Sequence, residues 1–209
     1  MPATTTGIAT PARRIETRLR FADALANLDF AFMGAVGASN GQWSVLLDYL
    51  RYDLSFGRTP QGPLIGAINT SLTAQMLNLY AGYRVGDRAV WQIDLLAGLR
   101  WFDMDSRLSV LPAPPGGSNA VSDSWITPLV GPCARARLAE RWRVTGFLDY
   151  GGFGSDQETW QALLTADFAV NDRWTLRAGY RLVSFDSAEN GTLFRFRQSG
   201  PILGATFRF

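Results

Sequence analysis

The sequence has 209 residues, of which 47% are hydrophobic and 18% are charged, and its net charge is +2. The length suits one domain, and the small net charge without basic clusters excludes a nucleic-acid-binding protein. The lack of His and the single Cys133 exclude a disulfide framework and a Cys/His metal site. No stretch reaches the roughly 20 apolar residues of a membrane helix, and no motif for a cofactor is present.

The first 14 residues, MPATTTGIATPARR, lack the apolar core of a secretory signal. We predict a disordered N-terminal segment over 1–14 and a single β-barrel domain over 15–209. An exported protein needs a signal, so we expect that the start of this chain is truncated or assigned too far downstream.

Alternation of apolar and polar residues with a period of two is the dominant pattern after residue 15. In residues 89–101, Trp91, Leu95 and Leu99 share one face, and Asp94 and Arg100 share the other. This period predicts β-strands rather than helices. Strands are expected near 15–22, 28–38, 43–56, 72–85, 89–108, 124–138, 142–153, 158–170, 174–186 and 194–209. Several are twice as long as the strands of soluble proteins, at about 5–6 residues.

The connections between these strands alternate in length. Short ones lie at 39–42, 86–88, 139–141 and 171–173, and longer ones lie at 57–71, 109–123, 154–157 and 187–193. This pattern is typical of transmembrane barrels with periplasmic turns and extracellular loops. We therefore predict an all-β, antiparallel, up-and-down transmembrane β-barrel of about 10 strands, with a range of roughly 8–12. The last strand of such a barrel ends in the periplasm, and counting back from it makes 28–38 a strand that descends toward the periplasm. A strand that ascends from the periplasm must therefore precede it, and 15–21 is the candidate.

All seven Trp residues lie near predicted strand ends, as two rings of interfacial aromatics would. Those that follow short turns are Trp43, Trp91, Trp142 and Trp174, and those near the longer loops are Trp101, Trp125 and Trp160. The alternative is that Trp starts the core strands of a soluble barrel. Strand length, Trp placement and the C-terminus favour the membrane, with the apolar face outward.

The chain ends in GPILGATFRF, where Leu203, Ala205, Phe207 and the terminal Phe209 share one face and Gly204 lies five residues before the end. It resembles the C-terminal signal of outer-membrane β-barrel proteins, with Ile202 in place of the usual polar residue. The resemblance implies recognition by the barrel-assembly machinery.

The segments LANLDFAFMGAV, WQIDLLAGLRWFD and ALLTADFAVNDRWTLRAGYRL also resemble a largely uncharacterised group of bacterial porin-like outer-membrane barrels, over roughly 15–209. Its members usually carry a signal peptide and a further N-terminal strand rich in aromatics. The resemblance implies a location in the outer membrane of Gram-negative bacteria, with lipid and lipopolysaccharide as surroundings. It implies no reaction.

With the apolar face outward, the opposite face fills the lumen with charges of both signs. The candidates for the lumen or a constriction are Arg84, Asp94, Arg100, Arg135, Arg137, Asp149, Asp167, Arg177 and Arg181. Buried charges need partners, so we expect a salt-bridge network that fills a small lumen. The alternative is a charged constriction that selects small anionic solutes.

We expect no catalytic residue, because hydrolases of this barrel class mostly depend on a His base. The rim carboxylates Asp53, Asp103 and Asp105 are interpreted as solvated residues or as cation contacts with lipopolysaccharide. The sequence thus predicts an outer-membrane barrel with a structural or narrow-channel role and no obligate protein partner. The alternative is a soluble β-barrel that binds an apolar small ligand.

Overall fold

A computed structural model describes residues 3–10, 13–20, 28–58, 67–111, 118–153, 157–189 and 192–209. The strands are β1 (Ala3–Thr10), β2 (Arg13–Arg20), β3 (Leu28–Ser39), β4 (Trp43–Arg58), β5 (Ala67–Asp87), β6 (Trp91–Leu111), β7 (Ser118–Arg137), β8 (Trp142–Gly151), β9 (Gln157–Ala169), β10 (Trp174–Glu189) and β11 (Thr192–Phe207). None of these described residues forms a helix long and apolar enough to cross a membrane.

The nine strands from β3 to β11 form one meander, in which each strand pairs antiparallel with the next. Their positions follow the alternation of the sequence, although β5 to β7 extend further into the regions expected to be loops. The all-β, antiparallel, up-and-down architecture is therefore confirmed. With β1 and β2, the sheet formed by the described residues has eleven strands, within the predicted range.

Side-chain caps close the short turns at one end of the sheet, which we call the short-turn end. Asn40 Oδ1 accepts hydrogen bonds from the backbone N–H of Gln42 and Trp43, at 3.1 and 2.8 Å. Gly41, between Asn40 and Gln42, has a φ of 98°, a backbone conformation that favours Gly. Asn171 caps the turn before Trp174 in the same way. These local bonds fix two of the short turns after which a Trp begins the next strand.

The N-terminal strands differ from the prediction. Parity requires an ascending strand beside the descending β11, and β1 fills this position by pairing with β11 from Thr4↔Gln198 to Ala9↔Leu193. The expected ascending strand at 15–21 lies within β2 and pairs with β1 rather than with β3. β1 also lies in the segment predicted to be disordered. Its backbone satisfies the N–H and C=O groups on the edge of β11. The assignment of 15–209 to one domain stays a prediction.

The sheet curls so that distant strands meet across its concave side. Arg181 on β10 reaches Asp48 on β4, and Phe196 on β11 stacks on Tyr52 of β4. In the described residues β2 and β3 are the two edge strands, so the sheet is a half-barrel. Gly131 lies on the concave face, where a Cβ would overlap the carbonyl oxygen of Leu148, and this permits close packing of β7 on β8.

The convex face is apolar, as predicted for a membrane barrel. Large hydrophobic side chains on it are 37–86% exposed, and examples are Val45, Leu95, Leu99, Leu164, Leu176 and Leu203. The concave face buries Asp94, Arg100, Asp149 and Asp167. The concave face also buries an apolar cluster around Phe102 toward the other end of the sheet. The exposed apolar convex face differs from that of a soluble ligand-binding barrel, whose outer face is polar.

Candidate functional site

The concave face, which lines the lumen, carries three layers of side chains between the short-turn end and the opposite, long-loop end. Strand β6 crosses all three, with Asp94 in the first layer, Arg100 in the second and Phe102 in the third. Their side chains point the same way because they are separated by even numbers of residues. All three are at most 3% exposed.

The middle layer is centred on a buried ion pair. Arg100 Nη2 donates to both carboxylate oxygens of Asp149, at 3.0 and 2.7 Å, and the two side chains are 1% and 0% exposed. The Tyr80 hydroxyl donates to the same carboxylate at 2.6 Å. Arg100 Nη1 donates to Thr159 Oγ1 at 2.6 Å. A buried pair of this kind is tolerated because hydrogen bonds replace the lost hydration.

The same network continues across the lumen to the other side of the curled sheet. Arg100 Nε donates to Asn78 Oδ1 at 2.7 Å, and Asn78 Nδ2 donates to Asp48 Oδ2 at 3.0 Å. Arg181 Nη2 donates to the same Asp48 oxygen at 2.7 Å and to Gln161 Oε1 at 2.7 Å. Because five strands lie between β4 and β10 in the sheet, these bonds bridge the lumen directly. We call Asp149, Arg100, Asn78, Asp48, Arg181 and Gln161 the lumen network.

The layer nearest the short-turn end has two carboxylates, each held by arginines. Asp94 accepts from Arg84 Nε at 3.0 Å and also pairs with Arg135. Asp167 accepts from Arg177 Nε at 2.7 Å and from Thr145 Oγ1 at 2.8 Å. Both aspartates are buried, whereas the Arg135 and Arg177 side chains are 33% and 38% exposed. The arginines therefore form the solvent side of this layer.

The third layer, toward the long-loop end, is apolar and consists mainly of aromatic rings. Phe102 stacks on Phe185 with ring centroids 5.2 Å apart, and Trp125 lies 4.8 Å from Phe185. Phe196 lies 5.6 Å from Phe102 and 6.4 Å from Tyr52. We call these five side chains the aromatic layer. They come from β4, β6, β7, β10 and β11, so their packing also holds the curl of the sheet.

Eight of the nine predicted lumen residues lie in the first two layers, buried or half-buried. They are Arg84, Asp94, Arg100, Arg135, Asp149, Asp167, Arg177 and Arg181. Arg137 is exposed at the mouth of the lumen, one inward position beyond Arg135. Whether these residues form a constriction stays a prediction.

The predicted Trp rings lie on the convex face, with one exception. Trp43, Trp91, Trp142 and Trp174 are 41–57% exposed at the short-turn end, and Phe207 packs 5.0 Å from Trp174. Trp101 and Trp160 occupy outward positions of their strands. Trp125 was assigned wrongly to a ring, because it is 6% exposed and belongs to the aromatic layer. Its outward neighbour on β7 is Ile126, which is 67% exposed.

The spacing of the two rings matches a bilayer. Trp91 and Trp101 lie ten residues apart on β6, which is about 33 Å along a strand. Tilted by roughly 40°, the strand rises about 25 Å, the height of the apolar band of a membrane barrel.

The sequence did not identify three members of the lumen network, Asp48, Asn78 and Gln161. It also did not identify Tyr80 and Thr159, which form hydrogen bonds with the network. Asp48 lies between Leu46 and Leu50 on the concave face, so the apolar neighbours hide its inward position. Asn78 is a single polar residue in MLNLY. Because Trp43 points outward and side chains alternate along a strand, residues 44, 46 and 48 point inward, and this count would have identified Asp48.

The described residues contain no group of three His, Cys, Asp or Glu side chains that could hold a metal ion. Cys133 is buried on the concave face near the first layer, at 4% exposed. The rim carboxylates are half-buried. Asp53 pairs with Arg51 at 3.3 Å, and Asp103 accepts from Gln75 at 3.5 Å.

No protein-family model matches this sequence, and no curated protein is significantly similar to it. Solved structures share its fold at low sequence identity. The outer-membrane protease OmpT from Escherichia coli superposes with a TM-score of 0.65 and 12% identity, over 100% of this chain and 93% of that chain. The translocator domain of the autotransporter NalP from Neisseria meningitidis has a TM-score of 0.49 and 15% identity, over 99% and 86%. Neisserial surface protein A has a TM-score of 0.36 and 12% identity, over 99% and 93%. The apolar convex face, the polar lumen and the match to OmpT agree: this chain has the fold of the outer-membrane β-barrel proteins.

Proposed function

We propose that this chain is a structural outer-membrane β-barrel whose lumen is closed in its resting state. The observation that carries the proposal is the lumen network, which joins β4, β5, β6, β8, β9 and β10 by direct bonds across the interior. The aromatic layer stacks above it. Together they supply a polar and an apolar barrier in series, because the charges of the lumen network are paired across the interior and the rings of the aromatic layer pack on one another.

The proposed surroundings are outer-membrane lipid between the two Trp rings and lipopolysaccharide beyond them. Outward charges beyond Trp101 and Trp160 support this placement, since Arg51 pairs with Asp53 and Arg195 pairs with Asp186 on the convex face. Acidic and basic groups there suit the phosphates and bridging cations of lipopolysaccharide. The C-terminal residues Gly204, Phe207 and Phe209 are proposed to be read by the barrel-assembly machinery.

No catalytic role is proposed. The protease among the structural neighbours is only 12% identical, and this sequence has no His to act as a general base. No nucleic acid, cofactor or obligate protein partner is part of the proposal.

Location is tested by fractionation of cells that export the chain behind a functional signal peptide. The protein is expected in the outer-membrane fraction and to require detergent for extraction, because its apolar convex face needs lipid or detergent contact. A known soluble periplasmic protein and a known outer-membrane barrel serve as controls. Recovery of folded protein in the soluble fraction would contradict the membrane location and support the alternative of a soluble barrel.

Closure is tested by conductance in planar lipid bilayers. The unaltered protein is expected to give no discrete channels over many insertions. Arg100→Ala combined with Phe102→Ala and Phe185→Ala should give discrete steps, because these changes open both the lumen network and the aromatic layer. Arg107→Ala is the matched control, since Arg107 is exposed at the far end of β6. Steady channels from the unaltered protein would favour the second candidate, a narrow channel for small anions, which the surplus of arginines at the mouth supports.

A further inference from the structure

The mouth of the lumen at the short-turn end holds arginines that outnumber the carboxylates available to them. Among the described residues, six arginines occupy concave-face positions there: Arg84, Arg135, Arg137, Arg143, Arg177 and Arg208. The carboxylates on the same face are Asp94 and Asp167. Asp94 is shared by Arg84 and Arg135, and Asp167 is held by Arg177. Within the part of the chain that the structure describes, Arg137, Arg143 and Arg208 have no carboxylate within 4 Å.

These three arginines line one concavity. It has a volume of about 230 Å³, and its wall includes Arg137, Arg143 and Arg208 together with Thr175 and Thr206. The acidic residues of the wall are Glu140, Asp167 and Asp172. A smaller hollow of about 90 Å³ adjoins it and shares Arg137 and Arg143. A water molecule takes about 30 Å³ in the liquid, so the larger space accommodates a small polyanion with several waters.

The wall of the larger concavity carries an excess of positive charge, because five arginines and three acidic residues line it. The one inward carboxylate in the wall, Asp167, already accepts hydrogen bonds from Arg177, Thr145 and Thr165. Guanidinium groups bind phosphate and carboxylate oxygens by paired, charge-assisted hydrogen bonds. Low-dielectric walls strengthen the attraction of such a cleft for an anion.

We propose that this mouth is a binding site for a small soluble oxyanion that carries two or more negative charges, such as a phosphorylated solute. Arg137 on β7, Arg143 on β8 and Arg208 after β11 supply its guanidinium donors. The ligand enters from the short-turn side, which is the periplasmic side in the proposed orientation. The three arginines occupy concave-face positions, whereas the Trp side chains of the ring occupy convex-face positions, and this favours a soluble ligand over a lipid headgroup. The proposal holds whether or not the lumen conducts.

The test is titration calorimetry of the full chain, folded in a non-ionic detergent at low ionic strength, with inorganic pyrophosphate as the probe. Saturable binding at one site is expected, and it should weaken as sodium chloride is raised. Arg143→Gln and Arg208→Gln should each weaken binding about tenfold, because each removes one charge-assisted donor pair. The matched control is Arg107→Gln, which removes the same charge at the long-loop end and should change the affinity less than about twofold.

Two results would overturn the proposal: no saturable binding to the unaltered protein, or an equal loss of affinity in Arg107→Gln and Arg143→Gln. Heat-dependent mobility on electrophoresis verifies that each variant is folded. Repeating the titration with anionic phospholipid in the micelles separates the two sources of phosphate. Unchanged binding supports a soluble ligand, whereas competition by the lipid would refute the assignment to a soluble solute. Conductance plays no part in these readouts, so this proposal and that of a closed lumen fail independently.

Discussion

Arg100→Met is expected to lower the free energy of unfolding by about 3–5 kcal/mol, the usual cost of removing one partner from a buried ion pair. Asp149 would stay fully buried with a charge, and the donors at 2.7 and 3.0 Å would be gone. Asn78 and Thr159 would also lose their hydrogen bonds to the guanidinium. The measurement is reversible urea unfolding in lipid vesicles, followed by Trp fluorescence.

A double-mutant cycle separates the pair from its surroundings. Arg100→Met combined with Asp149→Leu should be less destabilising than the sum of the single changes, because neither charge is then left unpaired. The matched control is Arg51→Met, which breaks a pair whose side chains are 41% and 25% exposed and should cost less than about 1 kcal/mol. Equal costs at positions 51 and 100 would contradict the assignment of a buried lumen network.

Leu95→Arg is expected to destabilise the folded barrel in lipid by about 2–4 kcal/mol, because it would place a charge near the midplane of the bilayer. Leu95 is 53% exposed on the convex face, four residues after Trp91 and six before Trp101. In a soluble barrel an Arg at so exposed a position would cost little. Unfolding in vesicles measures the effect.

The depth of the position is controlled with Ser122→Arg. Ser122 is also exposed and pairs with Asp105 beyond the outer Trp ring, so an Arg there should change stability by about 0–1 kcal/mol. If Leu95→Arg cost no more than Ser122→Arg, residue 95 would not lie in hydrocarbon, and the proposed membrane position would be wrong.

The lumen illustrates where alternation predicts well and where it does not. Near the short-turn end, polar and apolar residues strictly alternate, as around Asp94 and Arg177, and the inward face could be read directly. Toward the long-loop end, both faces are partly apolar, as in VLLDYLRYDL, so polarity no longer separates inside from outside. For this reason the sequence pattern wrongly predicts Trp125 in a Trp ring, and it does not identify Asp48 as an inward residue.

The strand pattern, the alternating turns and the identity of most inward charges could be predicted from the sequence, because these features depend on residues adjacent along one strand. Which charges pair was decided only by the curl of the sheet, which brings Arg181 to Asp48 and Arg100 to Asp149 across the lumen. The same curl stacks Phe102 on Phe185 and leaves Arg137, Arg143 and Arg208 around one concavity. These contacts join residues tens of positions apart, and pairing preferences of single strands carry no information about them.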